Sequence, residues 1–253
     1  MKHFLTILSH EVRMLLVSTN TYIAAVAFLS LMGFIFTGIL EDYSKAVQDV
    51  SPASVFFQLY WLPVFFMVPL LTSKCLAEER RLGTIETLLT TPVTTAEVVL
   101  GKYAAAYLLY IAFWGSTSGL FYILKRFAGD ARLIDPGPIV GGYLFVAVSG
   151  LLFIAVGVFA SSLSRNQSVA GILSLTFLVG IILGSRYLGQ ASWLDREALS
   201  PLKDAVEYAQ VNQHFQDFTR GVVDTRELLF YVSGTVLALI FSVLAVEAKL
   251  LHS

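Results

Sequence analysis

The sequence predicts an all-α integral membrane protein with six transmembrane helices, and three observations carry that prediction. Hydrophobic residues make up 56% of the chain and charged residues only 14%, against roughly 25% charged in soluble domains. The mean hydropathy of +0.73 agrees. Asp, Glu, Lys and Arg are missing between Arg13 and Glu41, Asp49 and Lys74, Lys102 and Lys125, Asp135 and Arg165, Arg165 and Arg186, and Glu227 and Glu247. Each window is about 19 residues or longer, enough for a helix to cross roughly 30 Å of hydrocarbon. None alternates with period two, which disfavours a membrane β-barrel.

In chain order, residues 2–17 predict an amphipathic helix lying in the membrane interface. Lys2, Thr6, Ser9, His10 and Arg13 recur on one side, with Phe4, Leu5, Leu8, Val12, Leu15 and Leu16 on the other. No small-residue cleavage site follows, so a removed signal peptide is not expected. The first span covers about 21–40 and the second about 55–73, where Pro63 and Pro69 predict a kink. A charged loop at 77–102 leads to the third span, about 103–124. Its Gly115 and Gly119 bracket small residues suited to close helix contact. The fourth span, about 139–163, is joined by the tight turn 164–167 to the fifth, about 168–187, which repeats the spacing with Gly180 and Gly184. Both glycine pairs suit a helix contact inside this chain or between two copies. An outer loop at 188–226 contains Ser200-Pro201, a helix-start signal, and Asp224 with Glu227 caps the sixth span at about 228–246. The whole chain, 1–253, reads as one transmembrane domain.

Several chemistries are disfavoured. His3, His10, His214 and His252 all lie outside the spans, so no buried serine has an obvious base. No His-Glu-x-x-His set and no phosphate-binding Gly-x-x-x-x-Gly-Lys-Ser/Thr loop occurs. The lone Cys75 reads as a small apolar residue. Basic patches interleaved with aromatics are missing, so no nucleic-acid partner is expected. The spans hold no ionisable residue of the kind that couples ion movement to transport. The expectation is a helical bundle without its own energy source, bound to no cofactor or metal, and not an enzyme.

The chain is organised around Glu78-Glu79-Arg80-Arg81-Leu82-Gly83-Thr84-Ile85-Glu86-Thr87-Leu88-Leu89-Thr90-Thr91-Pro92-Val93. This stretch resembles the signature loop of the type-2 ABC exporter permeases, and 97–102 continues the likeness. Residues 214–226 further resemble the gliding-motility-associated permease subgroup.

That resemblance implies two permease subunits, identical or different, paired in the bacterial inner membrane above two cytoplasmic ATPase subunits that carry ATP and Mg. Both termini would be cytoplasmic. Charge counting gives no orientation, because Lys and Arg divide 8 against 9 between the two sides. A coupling helix at about 84–91, beginning at Thr84 after Gly83, would dock on the ATPase. There Leu88 and Leu89 would bury, Glu86 would make a polar rim contact, and Pro92 would turn the chain back. Glu78 and Glu79 would meet the interfacial helix or the ATPase. Short re-entrant helices would fill the outer loop, with Phe215, Phe218 and Arg220 gating the exit or contacting an extracytoplasmic accessory subunit. A non-transporting anchor of an envelope or gliding machinery is the alternative reading. An intramembrane enzyme or ion-coupled carrier is the least supported.

Overall fold

The computed structural model describes residues 2–45, 50–83, 93–127, 135–189, 203, 206 and 208–250, and every regular element among them is helical. Helix α1 (Lys2–Val17) turns at Ser18 into α2 (Thr19–Lys45). The residues α2 buries, Thr21, Ala24, Phe28, Met32, Phe36 and Ile39, recur at three- and four-residue spacing and form a single stripe. Next come α3 (Pro52–Gln58), α4 (Trp61–Thr72) and α5 (Ala77–Leu82). Ser51 caps α3 through the Ser54 N–H, and Pro52 occupies its first turn, where a missing donor costs nothing. Helices α6 (Thr95–Ser116) and α7 (Ser118–Phe127) form one long rod with a joint at Thr117. The chain continues through α8 (Pro136–Leu163), α9 (Gln167–Val179), a π-helical turn (Gly180–Gly184) and α10 (Ser185–Gly189), and ends in α11 (Val211–Thr219) and α12 (Thr225–Leu250).

Among the described residues, six helical segments are long and apolar enough to cross a membrane: Thr19–Lys45, Trp61–Leu82, Thr95–Phe127, Pro136–Leu163, Gln167–Leu188 and Thr225–Ala248. The predicted class therefore holds: this is an all-α, multi-pass membrane protein. In the Pro136–Leu163 segment 72% of the apolar window is buried, against 22% in Gln167–Leu188. That contrast makes α8 the axis of the bundle and leaves α9 on its periphery. Around α8 pack α3, α4, α6, α9, α11 and α12.

Lipid is as apolar as leucine, so helices associate in a membrane mainly through close packing and interhelical hydrogen bonds. Helix α8 supplies the room with Gly142, Gly150 and Gly157, which receive Phe57, Tyr110 and Thr72 so closely that an added methyl would overlap each. It also accepts hydrogen bonds from α6: the Tyr103 hydroxyl donates to the Leu151 carbonyl at 3.2 Å and that of Tyr107 to Ala147 at 2.9 Å.

The expected glycine pairs behave differently. A methyl at Gly115, Gly119 or Gly180 would meet nothing within 4 Å, and one at Gly184 would only graze the Val179 carbonyl at 4.0 Å. Both pairs sit where a helix changes form. Between Gly115 and Gly119 the rod breaks, with the Thr117 hydroxyl donating to the Trp114 carbonyl at 2.6 Å and lying 2.8 Å from the Tyr143 hydroxyl. Gly180 and Gly184 bound the π-helical turn. The proline expectation also shifts. The second span breaks at Leu59–Tyr60, ahead of Pro63, which falls in the tolerant first turn of α4, while Pro69 lies inside the helix.

A candidate coupling site at one end of the bundle

Residues 84–92 are entered from α5 and left into α6. Helix α5 stops because Gly83 takes up the left-handed conformation at φ 71°, which side chains disfavour. Helix α6 starts on a capping box: Thr94 accepts from the Glu97 N–H at 3.2 Å, and the Glu97 carboxylate accepts from the Thr94 N–H at 3.2 Å. Both flanks are therefore firmly terminated. Thr84, Glu86, Leu88, Leu89 and Pro92, and with them the expected coupling helix, lie outside the described residues.

Beside these flanks lies a buried ion triad. Lys102, in the second turn of α6, is 5% exposed. Its ammonium is 2.7 Å from Glu79 Oε1 on α5 and 2.7 Å from Glu11 Oε1 on α1. An ammonium withdrawn from water persists only when paired, and two carboxylates complete the pairing. Helix α1 reaches Lys102 because Phe4, Ile7, Leu8, Glu11, Val12 and Leu15 form its partly buried face. Gly101 lets it approach: a methyl there would lie 2.6 Å from Ile7 Cγ2. Lys102 bounds the charge-free window of the third span and belongs to the third span-length helix.

A second fastening joins α5 to α8. The Ser161 hydroxyl accepts from the N–H groups of Leu76 and Ala77, both at 3.0 Å, and donates to the Ser73 carbonyl at 3.1 Å. It satisfies the backbone opened where α4 gives way to α5. Next to it the Arg80 guanidinium donates to the Ser162 carbonyl, one of the α8 carbonyls left without an intrahelical partner.

Glu79 is thus bound within the bundle and meets the interfacial helix through Lys102, whereas Glu78 is half-exposed, 3.7 Å from Arg81. Sequence reasoning missed Glu11, Lys102, Ser161 and the Thr94–Glu97 box. The box has a plain signal, Thr-x-x-Glu before an apolar run. Lys102 sits at the edge of a charge-free window, where a lysine ordinarily reaches for the headgroups, and its partners are distant in sequence.

At the opposite end, α11 packs on α8 and adjoins α12. Phe215 and Phe218 are 3% and 0% exposed, so neither offers a surface to an accessory subunit, which corrects that expectation. Phe215 fits between Tyr60 and Phe145, with ring centroids at 5.9 and 5.4 Å, and Phe218 lies 5.8 Å from Phe145. Of the three outer residues only Arg220 faces outward. His214 is buried: Nε2 donates to the Tyr208 carbonyl at 3.0 Å, so Nδ1 accepts from the Tyr231 hydroxyl at 3.1 Å. Burial holds this imidazole below its ordinary pKa. Ser200-Pro201 falls outside the described residues, and Asp224 caps α12 by accepting from the Arg226 N–H at 2.8 Å.

Among the described residues, six span-length helices, a packed amphipathic N-terminal helix and an ion triad on the helices that flank 84–92 define a multi-pass membrane domain. Residues 40–195 match the family model described as ABC-2 family transporter protein, and the chain belongs to that family. It is also 28% identical over 164 residues to the "Probable multidrug ABC transporter permease YbhR" of Escherichia coli (strain K12), and equally so to that of Escherichia coli O157:H7. The matched region is 61% of this chain and 39% of each relative, so the chain spans well under half the length of the curated relatives it matches.

Proposed function

We propose that this chain is the membrane-spanning permease subunit of an ATP-driven exporter, moved by ATP and Mg bound to a separate cytoplasmic ATPase. Membership of the ABC-2 family supports the ATPase partner and the membrane setting. The observation that carries the coupling step is the triad: Lys102 ties α6, the helix leaving 84–92, to Glu79 on the helix entering it and to Glu11 on α1. A load applied to 84–92 therefore reaches three elements together. Such a rigid contact is needed if ATP-driven closure of a partner is to bias the spans.

In this reading Leu88 and Leu89 bury in a groove of the ATPase, Glu86 contacts its rim, and Pro92 returns the chain to α6. Both termini and this loop face the cytoplasm, and two permease subunits, identical or not, pair in the bacterial inner membrane. Gly115, Gly119, Gly180 and Gly184, open on their own chain, are the positions offered to that pairing. Phe215 and Phe218 act as an aromatic plug at the outer end, with Arg220 on its exposed rim facing any accessory subunit. The relatives' printed description makes multidrug-type apolar cargo one substrate class to test.

The likeness of 214–226 to the gliding-motility subgroup favours a second reading, a non-transporting anchor in envelope or motility machinery. Co-purification from native membranes in mild detergent separates the two. A P-loop ATPase recovered near one-to-one, and lost in the Glu86→Ala/Leu88→Ala double variant, is the result expected of the permease. Recovery of envelope proteins with no ATPase at any salt concentration would overturn it in favour of the anchor.

A further inference from the structure

We propose that the end of the bundle where α5, α8 and α9 meet binds the phosphate of an anionic phospholipid between Arg80 and Arg165. The proposal rests on the chain being a membrane protein and not on its coupling to an ATPase.

Arg80 is fixed by its hydrogen bond to the Ser162 carbonyl at the end of α8. Arg165 follows in the turn to α9, exposed and three residues beyond the Ser162 that Arg80 holds. Like charges held together repel unless an anion lies between them. The two carboxylates of α5 are engaged elsewhere: Glu79 faces Lys102 at 2.7 Å, and Glu78 lies 3.7 Å from Arg81. Helices α4, α8 and α9 carry no carboxylate at all. Lys74, half-buried in the turn before α5, adds a further cation at this end. Among the described residues of α4, α5, α8, α9 and the turns between them, the balance is cationic: Lys74, Arg80, Arg81 and Arg165 against Glu78 and Glu79.

Guanidinium groups present planar forks of donors that match phosphate oxygens. The setting selects a lipid over a free anion. Three span-length segments, Trp61–Leu82, Pro136–Leu163 and Gln167–Leu188, have ends at this place. The nearby Leu82, Leu163 and Val169 are 63%, 37% and 45% exposed. Cations beside exposed apolar side chains at the ends of spans are the complement of a headgroup with its acyl chains attached.

The test uses the full chain exchanged into nanodiscs of phosphatidylcholine with a minor fraction of phosphatidylglycerol, with retained lipid quantified by mass spectrometry after transfer to detergent. The wild type is expected to enrich phosphatidylglycerol. The Arg80→Gln/Arg165→Gln variant should retain about 30-fold less, the product of two surface cations. Lys125→Gln/Arg126→Gln removes the same charge at the far end of the third span and should retain wild-type amounts. Arg165→Gln alone leaves the Arg80–Ser162 bond in place, so it keeps the experiment decisive if the double variant misfolds, and it too should lower retention. Equal retention by both double variants, or no preference for phosphatidylglycerol in the wild type, overturns the proposal. Displacement of the lipid by inorganic phosphate at matched concentration would reassign the site to a free anion. Lipid retention unchanged in Arg165→Gln while a co-purifying protein is lost would reassign it to a protein partner.

Discussion

The ammonium of Lys102 lies 2.7 Å from the carboxylate of Glu79, across the two helices that enter and leave residues 84–92. Glu11 on α1 completes the site at the same distance, so one buried cation holds two carboxylates from two other elements. Removing one partner of a buried pair is costly because the remaining charge is stranded. Lys102→Met should lower stability by about 3 kcal/mol, read as a fall in the thermal midpoint of the detergent-solubilised protein. Glu11→Gln leaves the Lys102–Glu79 pair intact and should cost clearly less. Equal losses from the two variants would mean that α1, not the α5–α6 link, carries the triad.

Ser161 offers a second test at the same end, by hydrogen bonding alone. Its hydroxyl serves two buried N–H groups, those of Leu76 and Ala77, and one carbonyl, that of Ser73. Ser161→Ala deletes one oxygen and strands all three. A stranded buried donor costs about 1–3 kcal/mol, so the expected loss is about 3 kcal/mol, with hydrogen exchange accelerating first at 73–80. Substitution of Ser162, whose hydroxyl bonds the carbonyl of Phe159 on its own helix, should cost much less. A null result at Ser161 would mean that water reaches this break.

The class of this protein was legible because membrane insertion is written in one dimension: a missing charge over the length of a span needs no partner to be recognised. The triad was not. Lys102, Glu79 and Glu11 come from three helices, and each alone reads as an interfacial charge. The glycine spacing left two readings open, a contact inside this chain or one between two copies, and the single chain bears only on the first. Gly115 with Gly119 and Gly180 with Gly184 match a packing motif, yet the closest approaches within the chain fall at Gly101, Gly141, Gly142, Gly150 and Gly157. A sequence shows where two helices are able to approach, whereas the facing side chain decides where they do. Phe215 and Phe218 repeat the lesson: expected either to gate the exit or to contact an accessory subunit, both are buried by α11 against α8.

That contrast among glycines is measurable. A methyl at Gly150 would overlap the ring of Tyr110, which is 0% exposed and has nowhere to go. Gly150→Ala should therefore lose about 2 kcal/mol through overpacking. Gly180→Ala meets nothing within 4 Å and should leave the single chain as stable or gain about 0.5 kcal/mol from reduced backbone entropy. The thermal midpoints of the two variants order these effects directly. A loss of subunit pairing in Gly180→Ala without a fall in chain stability would support this glycine as an intersubunit contact.

His214 gives the outer end a pH dependence whose sign is fixed by its burial. In the folded chain the imidazole is held below its ordinary value of 6.5 by desolvation; its bond to Tyr208 and the charges of Asp217 and Asp224 act in the opposite direction, more weakly. The unfolded chain therefore takes up the proton first as pH falls, and stability declines with it. The contribution is complete above about pH 6.5 and is lost progressively on acidification toward the lower folded value. A proton on Nδ1 also ends its role as acceptor for the Tyr231 hydroxyl, loosening α11 from α12. Hydrogen-exchange protection at 211–219, taken relative to the intrinsic rate at each pH, should fall between about pH 7 and pH 5 in the wild type. His214→Gln removes this proton but leaves Glu227, which faces Asp217 across the same contact, so its profile should be shallower than the wild type's over the same range. A wild-type profile as shallow as the variant's would mean that Asp217 and Asp224 offset the burial fully, leaving His214 as a neutral strut between the two helices.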